Sequence, residues 1–452
     1  MAKSTKTSVL IVGAGVSGLG AARQLVDDDW EVIVLEGRNR IGGRTWSNRT
    51  WPGLALDMGA GWIEGAEENP VAAIANKAHI NTATYDDETE YLYNSNGDEV
   101  EDDDAEAQEE RFEAIMKDVE TLRSKRKKAG EADVSLQALI DEVLPKHNLS
   151  DEQKKAFDYD ITRVVESDYA EDSTKISGYH WDEGDGFDGE DLLFPEGYDQ
   201  IAQTLAKGVD VRLEHKVEKI EYSEDGVKIT TNHGVFEGDY ALVTVPLGVL
   251  KKGVITFDPP LPKSKTNAID KLGMGLLNRV YLRFPEVFWE KKPHGFGIIP
   301  KRRDEWTEFV NFYPFVHQPI LLCFNSGDFA RKVEKLSDAD TVAGMMTALR
   351  GAFGKQIPEP TDYLISRWSQ DPFAFGSYSY MAIGASPKDR AALAESVNDV
   401  LFFAGEATEE DYPGTVHGAL LSGRRAADEI DEVDSGDEDE ADDDDDEDED
   451  AE

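Results

Sequence analysis

The opening of the chain constrains its fold more than any other segment. Residues 8–12 (SVLIV) form an apolar strand-like run, residues 13–18 read GAGVSG, and residues 16–28 carry apolar side chains at helical spacing. A second buried strand-like run, residues 31–36 (EVIVLE), ends in an acid. A glycine-rich turn between a strand and a helix, inside a βαβ unit, is typical of dinucleotide binding. The sequence therefore predicts an α/β fold with a nucleotide at its first turn.

Three glycines and one acid have separate tasks in this motif. Gly13 permits the tight turn, Gly15 lets the backbone approach a pyrophosphate, and Gly18 allows the helix to pack closely on the strand. The N-terminus of the helix then faces the phosphates. Glu36 is placed to accept hydrogen bonds from ribose hydroxyls, and an acid there disfavours a 2′-phosphate.

The next residues narrow the nucleotide through a resemblance. The strings VGAGVSGLGAARQL, VLEGRNRIGGRTWS and DMGAGWIEG resemble the FAD-binding opening of flavin-containing amine oxidases. The resemblance implies contacts to FAD from Arg38, Gly43 and Arg44, and from Gly61 and Trp62 in the third string. A nicotinamide enzyme would not need the IGGR segment.

The C-terminal block carries the most specific part of the resemblance. Residues 401–430 (LFFAGEATEEDYPGTVHGALLSGRRAADEI) resemble polyamine oxidases, particularly the intracellular branch that converts spermine and spermidine back to smaller polyamines. The resemblance implies that Glu406 holds the flavin ribityl hydroxyls. Thr415 and Val416 begin a helix whose positive end stabilises the N1–C2 edge of a reduced flavin. Val217, in the middle of the chain, lies where a backbone contact to the adenine is expected.

The chain divides into interleaved segments. Residues 210–222, 226–231 and 235–246 are strand-like runs separated by SEDG and NHG turns, which predict an antiparallel meander. We expect a discontinuous, Rossmann-like FAD-binding domain of residues 1–80, 191–261 and 395–430. A mixed sheet-and-helix substrate domain takes residues 81–190 and 262–394, as in the amine oxidase architecture. Residues 431–452 hold 17 acids and no Lys or Arg, and they are expected to form a disordered tail.

Candidate substrate-facing residues follow from the same resemblance. Trp368 and Tyr380 match family aromatics near the flavin, and Tyr380 corresponds to one wall of the aromatic cage that guides the amine. Thr415 holds the opposite wall, as in the back-conversion branch. Glu64 and Glu171 match acid-bearing segments near the substrate tunnel of some relatives, where carboxylates would bind the distant ammonium groups of a polyamine. Taken singly, these aromatic side chains would be read as core and Glu171 as a solvated charge.

One position departs from the family pattern. The family places a lysine in the strand after the MG turn, where it holds a water beside flavin N5; in LGMGLLNRVYLRF that position is Arg279. Arginine stays protonated and directs its hydrogen-bond donors in a planar fork. Lysine carries a compact charge, and its surroundings shift the pKa of its ammonium group. Arg279 either holds the same water, or the enzyme passes its electrons to an acceptor other than O₂, or the residue is an ion-paired strand residue.

Composition sets the remaining limits. The formal charge of −46 repels nucleic acid and attracts cations, although solubility or a salty cytoplasm explains it equally well. The single cysteine, Cys323, leaves none in the C-terminal block for covalent flavin attachment, so FAD is expected to be noncovalent. No histidine spacing indicates a metal site. Without a signal peptide or membrane span, a cytoplasmic location is expected before a nuclear one.

The resemblance therefore implies FAD-dependent oxidation of a polyamine beside its secondary nitrogen, with O₂ as acceptor and H₂O₂ as product. Two alternatives stay open. One is another flavin oxidoreductase, acting on an amino acid or monoamine or using a different acceptor. The other is a noncatalytic or chromatin-associated flavoprotein whose acidic tail engages basic partners. The oligomeric state is not determined by the sequence.

Overall fold

A computed structural model describes residues 5–86, 91–182, 184–303 and 305–443. Its strands, in chain order, are β1 (Thr5–Val12), β2 (Val32–Leu35), β3 (Ser47–Asn48), β4 (Leu56–Asp57), β5 (Trp62–Ile63), β6 (Ala83–Tyr85), β7 (Tyr91–Asn94), β8 (Asp191–Leu193), β9 (Asp210–Arg212), β10 (Val217–Ser223), β11 (Gly226–Thr231), β12 (Gly234–Val243), β13 (Thr256–Asp258), β14 (Gly273–Met274), β15 (Leu277–Arg283), β16 (Gly295–Ile299), β17 (Glu308–Asn311), β18 (Ile320–Ser326), β19 (Asp362–Ile365), β20 (Ser379–Tyr380) and β21 (Leu401–Phe403). Its α-helices are α1 (Val16–Asp27), α2 (Pro70–Lys77), α3 (Asp102–Lys128), α4 (Leu136–Val143), α5 (Asp151–Ile161), α6 (Asp199–Leu205), α7 (Leu247–Lys252), α8 (Lys263–Lys271), α9 (Tyr313–Val316), α10 (Gly327–Val333), α11 (Asp338–Phe353), α12 (Pro387–Ala394) and α13 (Val416–Asp443).

The chain forms two compact units, each built from separated segments. Unit 1 comprises Met1–Gly43, Asp199–Ile269 and Lys388–Glu452, and unit 2 comprises Arg44–Tyr198 and Asp270–Pro387. The first segment of unit 1 ends at residue 43, and the domain boundaries expected from the sequence stay a prediction. The backbone carbonyls of Asp57 and Met58 accept hydrogen bonds from side chains of later unit 2 strands and loops, which ties the segment after residue 43 to unit 2.

Unit 1 is organised around a largely parallel sheet. Its strand order is β13-β10-β11-β12-β1-β2-β9, with β21 also paired to β12. Strands β2, β1, β12 and β21 run parallel, so their carboxyl ends lie at one edge of the sheet. The residues that follow these ends, including Gly13, Glu36 and Glu406, therefore lie at the edge where open α/β sheets bind ligands.

The predicted meander is present, with one difference. Strands β10, β11 and β12 pair antiparallel in sequence order. The expected single strand over residues 210–222 is instead two strands, because β9 pairs in parallel with β2 and β10 starts only at Val217. Hydrogen bonds from the amides of Glu214 and His215 to the carbonyls of Arg38 and Glu36 turn the chain between them.

Helix α1 packs against helix α13 through glycines. A Cβ on Gly20 would lie 2.7 Å from a Leu420 methyl, and one on Gly423 would lie 2.2 Å from the Ser17 carbonyl. Both distances are far below van der Waals contact, so a side chain at Gly423 would separate the two backbones. The helix that starts the glycine motif is thus held by the C-terminal block.

The expected disorder of the acidic tail is wrong for its first part. Helix α13 continues past residue 431 and ends at Asp443. The Trp30 indole donates to Asp431 at 2.6 Å, and the Tyr240 hydroxyl donates to Asp434 at 3.1 Å, which provides partners for acids on this helical face. Residues 444–452 lie outside the described residues, and the expectation for them stays a prediction.

Unit 2 joins a mixed sheet to a group of helices. The larger sheet has the order β19-β15-β18-β17-β16-β7, in which β15 and β18 are antiparallel. Helices α3, α4 and α5 enclose a separate apolar core that includes Ile115, Leu139 and Phe157. Helix α3 begins at Asp102, and the three acids of its first turn suit the positive end of a helix.

Within the described ranges, no helix has both the length and the apolar character needed to cross a bilayer.

Candidate functional site

The glycine loop of unit 1 has the geometry of an anion-binding turn. Gly13 has a φ of 113°, which favours glycine. A Cβ on Gly18 would lie 2.1 Å from the Gly13 carbonyl oxygen, so the helix approaches the loop only because Gly18 has no side chain. Gly15 caps α1 without a side-chain hydrogen bond, and open space lies beyond its Cα. The first amides of α1 are therefore available to a phosphate.

Thr244 supports this loop and was missed by sequence reasoning. Its hydroxyl donates to the carbonyls of Val12 and Gly13, at 3.0 and 3.1 Å. The same oxygen would lie 2.8 Å from a Cβ on either Gly13 or Gly18. Two glycines of the motif thus make room for a threonine that follows β12. No local signal marks a threonine 230 residues away as part of the turn.

Glu36 is buried at the end of β2 and already holds the loop. Its two carboxylate oxygens accept hydrogen bonds from the amides of Ala14 and Arg38, both at 2.8 Å. A carboxylate oxygen has a second lone pair, so Glu36 fixes the turn and still accepts from a ribose hydroxyl.

A second glycine pair lies against the first loop. Gly15 and Gly42 form a parallel bridge, and the Gly42 amide donates to the Ala14 carbonyl at 2.7 Å. A Cβ on Gly43, whose φ is 56°, would lie 3.4 Å from Gly15 Cα. The structure thus brings Gly43 to the predicted phosphate loop, whereas Arg44 is the first residue of unit 2.

The C-terminal block supplies further candidate contacts to a cofactor in unit 1. Glu406 is buried at the start of a short 3₁₀ turn, immediately beyond the carboxyl end of β21. Thr415 caps helix α13, because its hydroxyl accepts from the Gly418 amide at 2.9 Å. Val416 is the first helical residue, as predicted. Val217 is buried at the start of β10.

In unit 2, Arg279 lies in a dry aromatic environment. Its guanidinium carbon is 4.8 Å from the centre of the Trp62 ring and 5.4 Å from that of Phe324. Nη1 donates to the Asp57 carbonyl at 3.0 Å, and the buried Nε has no hydrogen-bond partner. In the described part of the chain no carboxylate pairs with Arg279. The reading of Arg279 as an ion-paired strand residue is therefore not supported.

Gly61 makes this arrangement possible. A Cβ at Gly61 would lie 2.5 and 2.8 Å from the two terminal nitrogens of Arg279. The predicted residues Gly61, Trp62 and Arg279 thus form one contact group. Sequence reasoning missed Asp57 and Tyr281, whose hydroxyl donates to the same Asp57 carbonyl at 2.8 Å.

Trp368 is fixed beside the same segment. Its indole nitrogen donates to the Met58 carbonyl at 2.8 Å, and its ring meets Trp46 edge to face. A Cβ on Gly59 would lie 3.1 Å from the Trp368 ring. Trp368 is therefore a rigid wall of unit 2.

Arg44, which was expected to contact FAD, donates to the Ser377 carbonyl at 2.8 Å.

Glu64 is an accessible acid of unit 2. Its side chain is exposed to solvent, yet the surrounding protein desolvates the carboxylate and raises its pKa to about 7, with the charges of Asp168 and Asp191 adding to the effect. Asp168 is similar, since its exposed carboxylate has a pKa raised by desolvation to about 6. Within the described residues no lysine or arginine forms an ion pair with Glu64. Asp168, which sequence reasoning missed, follows a π-helical turn at Thr162–Glu166.

Tyr380 is buried against a glycine. It pairs with Gly273 across β14 and β20, and a Cβ on Gly273 would lie 2.3 Å from the tyrosine ring. Burial, followed by the charge of Glu171, raises the pKa of the phenol. The hydroxyl is therefore neutral and a hydrogen-bond donor.

The prediction that Glu171 binds a distant substrate ammonium does not fit the structure. The residue is buried, and both carboxylate oxygens accept from Arg331, at 2.7 and 2.5 Å. Lys175 donates to the same carboxylate at 3.1 Å. Two basic side chains of the protein itself thus neutralise Glu171. Burial raises the pKa of its carboxyl, but the hydrogen bonds from Arg331 outweigh this effect and hold the pKa below its ordinary value.

The chain resembles several curated proteins at similar identity. It is 38% identical over 442 residues to Protein FLOWERING LOCUS D of Arabidopsis thaliana, an alignment that covers 94% of this chain and 55% of that protein. It is 38% identical over 436 residues to Lysine-specific histone demethylase 1 homolog 2 of Oryza sativa subsp. japonica, covering 94% and 57%. Polyamine oxidase 2 of Arabidopsis thaliana is 34% identical over 442 residues, covering 94% and 88%. The chain spans slightly more than half the length of the first two relatives.

A solved structure confirms the predicted fold. Wild-type putrescine oxidase bound to putrescine superposes with a TM-score of 0.79 at 20% identity, covering 95% of this chain and 99% of that one. The amine oxidase architecture predicted from the sequence is therefore correct.

The family description "Flavin containing amine oxidoreductase" matches residues 16–431. The uncapped amides of α1, the open space at Gly15 and the buried acid Glu36 fit the phosphates and ribose of FAD. Cys323 is the single cysteine and is buried in β18, in agreement with a flavin held without a covalent bond. The chain belongs to the flavin-containing amine oxidoreductase family, and its cofactor is noncovalently bound FAD.

Proposed function

We propose that the chain oxidises a polyamine of the spermine or spermidine type at a carbon beside a secondary nitrogen. When bound, FAD accepts the hydride from that carbon. The resulting imine takes up water and separates into an aldehyde and a shorter amine. O₂ then takes up the two electrons together with two protons and becomes H₂O₂. The chain's own residues bind the cationic amine, orient its C–H bond and exclude water from it.

The desolvated but accessible carboxylate of Glu64 carries the proposal. A carboxylate that is desolvated, accessible and without a cationic partner in the described residues suits the binding of an ammonium group. Asp168 adds a second acid nearby. A monoamine would use only one of two such charges, whereas a polyamine carries several ammonium groups. This favours a polyamine over a monoamine substrate.

The aromatic residues favour the same substrate. Tyr380 and Trp368 are buried and fixed by their neighbours, so they offer rigid apolar surfaces to the methylene chain of an amine. Thr415 is committed to capping α13 and offers no aromatic surface.

A second candidate is N-methylated lysine within a basic peptide. It is favoured by the 38% identity to a lysine-specific histone demethylase homologue and requires the same hydride transfer from a carbon next to nitrogen. The net charge of −46 suits either cationic substrate.

Arg279 bears on the electron acceptor. Its charge is permanent, and its guanidinium is held by two rings and the Asp57 carbonyl. A lysine at this position would carry a smaller head with a tunable proton. We therefore expect this chain to be reduced by amines readily and reoxidised by O₂ more slowly than its Arg279→Lys variant.

The test is anaerobic mixing of the holoprotein with spermine, spermidine, N-acetylated polyamines and a dimethyl-lysine peptide, followed by air. Bleaching of the flavin band by a polyamine, with peroxide formed on reoxidation, supports the proposal. Bleaching by the peptide alone replaces it with the second candidate, and bleaching by neither overturns both. Equal reoxidation rates in the wild type, in Arg279→Lys and in the double variant Arg279→Lys with Gly61→Ala would refute the expectation for Arg279.

A further inference from the structure

A buried serine of helix α13 joins two segments of unit 1. Ser422 is fully buried, and its hydroxyl accepts a hydrogen bond from the Gly405 amide at 2.9 Å. It donates its single proton to the Ala419 carbonyl, also at 2.9 Å. The Ser17 hydroxyl lies 3.4 Å from the Ser422 oxygen, and it is then the donor in that contact. One side chain thus connects the first turn of α1 to the turn that follows β21.

The turn after β21 has a fixed shape. Gly405 has a φ of 127° and a ψ of 164°, a conformation that is essentially restricted to glycine. Its amide is bonded to Ser422, and its carbonyl accepts from the amide and the hydroxyl of Thr408, both at 2.9 Å. Glu406 follows directly, so the position of its side chain depends on how the Gly405 peptide is held.

The same turn lies beside the glycine loop of unit 1. Strand β21 pairs in parallel with β12, and a Cβ on Gly405 would lie 4.0 Å from the carbonyl oxygen of Thr244. The hydroxyl of Thr244 in turn donates to the Gly13 carbonyl. Glu406 is buried at this edge of the sheet. The residues expected to bind the phosphates and the ribityl hydroxyls of FAD are therefore neighbours within unit 1.

The connection is equally close at its α1 end. Ser17 is the second residue of α1, whose first amides are available to a phosphate. A Cβ on Gly423 would lie 2.2 Å from the Ser17 carbonyl oxygen, so the residue next to Ser422 packs directly on the backbone of this helical turn. A change at Ser422 would therefore release Gly405 from the turn that binds the phosphates.

We propose that Ser422 is a positioning residue for FAD. Its hydroxyl fixes the Gly405 turn against the first turn of α1, so that the α1 amides hold the phosphates while Glu406 accepts hydrogen bonds from the ribityl hydroxyls. Ser422 thereby acts on FAD through Glu406 and does not bind FAD itself. The proposal goes beyond the amine chemistry and rests on FAD as the cofactor and on the expected role of Glu406.

Competition between FAD and ADP on the whole chain tests this role. ADP shares the adenosine and phosphate part of FAD but lacks the ribityl chain, and displaced FAD is detected by its fluorescence. In Ser422→Ala, the ADP concentration that displaces half of the FAD should fall by about 10- to 100-fold, because FAD loses the contact to Glu406 and ADP keeps all of its contacts. A general loosening of the site would weaken both ligands alike. An unchanged concentration for half-displacement would therefore overturn the proposal.

A double-variant cycle tests the action through Glu406. Glu406→Gln removes the charge of the carboxylate, and it should lower the concentration for half-displacement by a similar factor of about 10- to 100-fold. Adding Ser422→Ala to this variant should change the concentration by less than about 3-fold. Factors that multiply in the double variant would overturn the proposal, and so would a Glu406→Gln protein that behaves as the wild type does.

Two further variants complete the comparison. Ser422→Cys keeps a weak acceptor of similar size and takes the place of Ser422→Ala if that variant does not fold, with a smaller fall expected. Thr7→Val deletes another buried hydroxyl of unit 1, which donates to the Glu31 carbonyl at 2.7 Å, and should leave half-displacement within about 2-fold of wild type. An equal fall in Thr7→Val would overturn the assignment to Ser422. Since no amine is used, these outcomes do not depend on whether a polyamine reduces the flavin.

Discussion

Gly61→Ala tests whether Arg279 occupies its site as tightly as its contacts indicate. The new Cβ would lie 2.5 Å from one terminal nitrogen of Arg279, whereas ordinary contact begins near 3.4 Å. The guanidinium would have to recede by about 0.9 Å. It cannot do so freely, because Trp62 and Phe324 lie against it and Nη1 is bonded to the Asp57 carbonyl.

The magnitude follows from these contacts. Overpacking a dry site costs about 1–3 kcal/mol, and loss of the charged hydrogen bond to Asp57 adds about 1.5–3 kcal/mol. The lower chain entropy of alanine in the unfolded state returns about 0.4–1 kcal/mol. We therefore expect Gly61→Ala to lower the free energy of unfolding by about 1.5–5.5 kcal/mol. In an Arg279→Lys background the loss should fall to about 1 kcal/mol or less, because the forked head is absent.

Urea unfolding followed by tryptophan fluorescence measures these differences, since Trp62 reports on the site directly. Gly186→Ala is the matched control: no atom lies within 4 Å of its added Cβ, so its free energy of unfolding should not fall. An equal loss for Gly61→Ala with Arg or Lys at 279 would refute the coupling. A loss below about 0.5 kcal/mol in the Arg279 protein would refute the packing argument itself.

Two more predictions concern titrating groups. Glu64 binds a cation only when its carboxylate is ionised, so kcat/KM should rise with pH up to about 7, the pKa of that carboxylate. In a steady-state pH profile, Glu64→Gln should remove this rise and lower kcat/KM by about 10- to 100-fold. A rise that persists in Glu64→Gln would exclude Glu64 as the group that binds the amine. Lys265 donates to three backbone carbonyls and lies over the Phe403 ring, yet burial lowers its pKa to about 7. The lysine of the unfolded chain keeps its proton up to about pH 10.5, so the free energy of unfolding of the wild type should rise with pH between about 7 and 10.5. Lys265→Met should lack this rise. Parallel pH profiles of the two proteins in urea titrations would contradict the lowered pKa of Lys265.

The nucleotide turn was predictable because its geometry depends mainly on the backbone conformation and close approach that glycine allows. Glycines at fixed spacing between a strand and a helix are a local signal, and the structure places Gly13, Gly15 and Gly18 in the close contacts that the motif implies. Glu36 was found by the same logic, as the acid that ends β2. The long-range partner Thr244 was not, since a threonine after a strand has no distinguishing neighbour.

The substrate residues were predictable only in part, because burial and partners come from tertiary packing. Glu64 and Glu171 both stand in short acidic segments, and nothing in those segments separates them. In the structure Glu64 is accessible and has no basic partner in the described part, whereas Glu171 is enclosed by Arg331 and Lys175. The last turn of helix α10 supplies Arg331, 160 residues beyond Glu171, so no local pattern predicts the pair.

The position of Arg279 shows why a single departure from a family pattern is hard to interpret from sequence. Taken from the sequence alone, replacement of lysine by arginine changes how readily the side chain loses its proton and how its hydrogen bonds are arranged. In the structure the change extends to its surroundings: Gly61 leaves space for the fork, two aromatic rings contact the delocalised charge, and the Asp57 carbonyl accepts one arm. A lysine introduced here would lose contact with both rings and leave space beside Gly61. Arg279→Lys therefore tests the acceptor chemistry fairly only beside the double variant with Gly61→Ala, which fills that space.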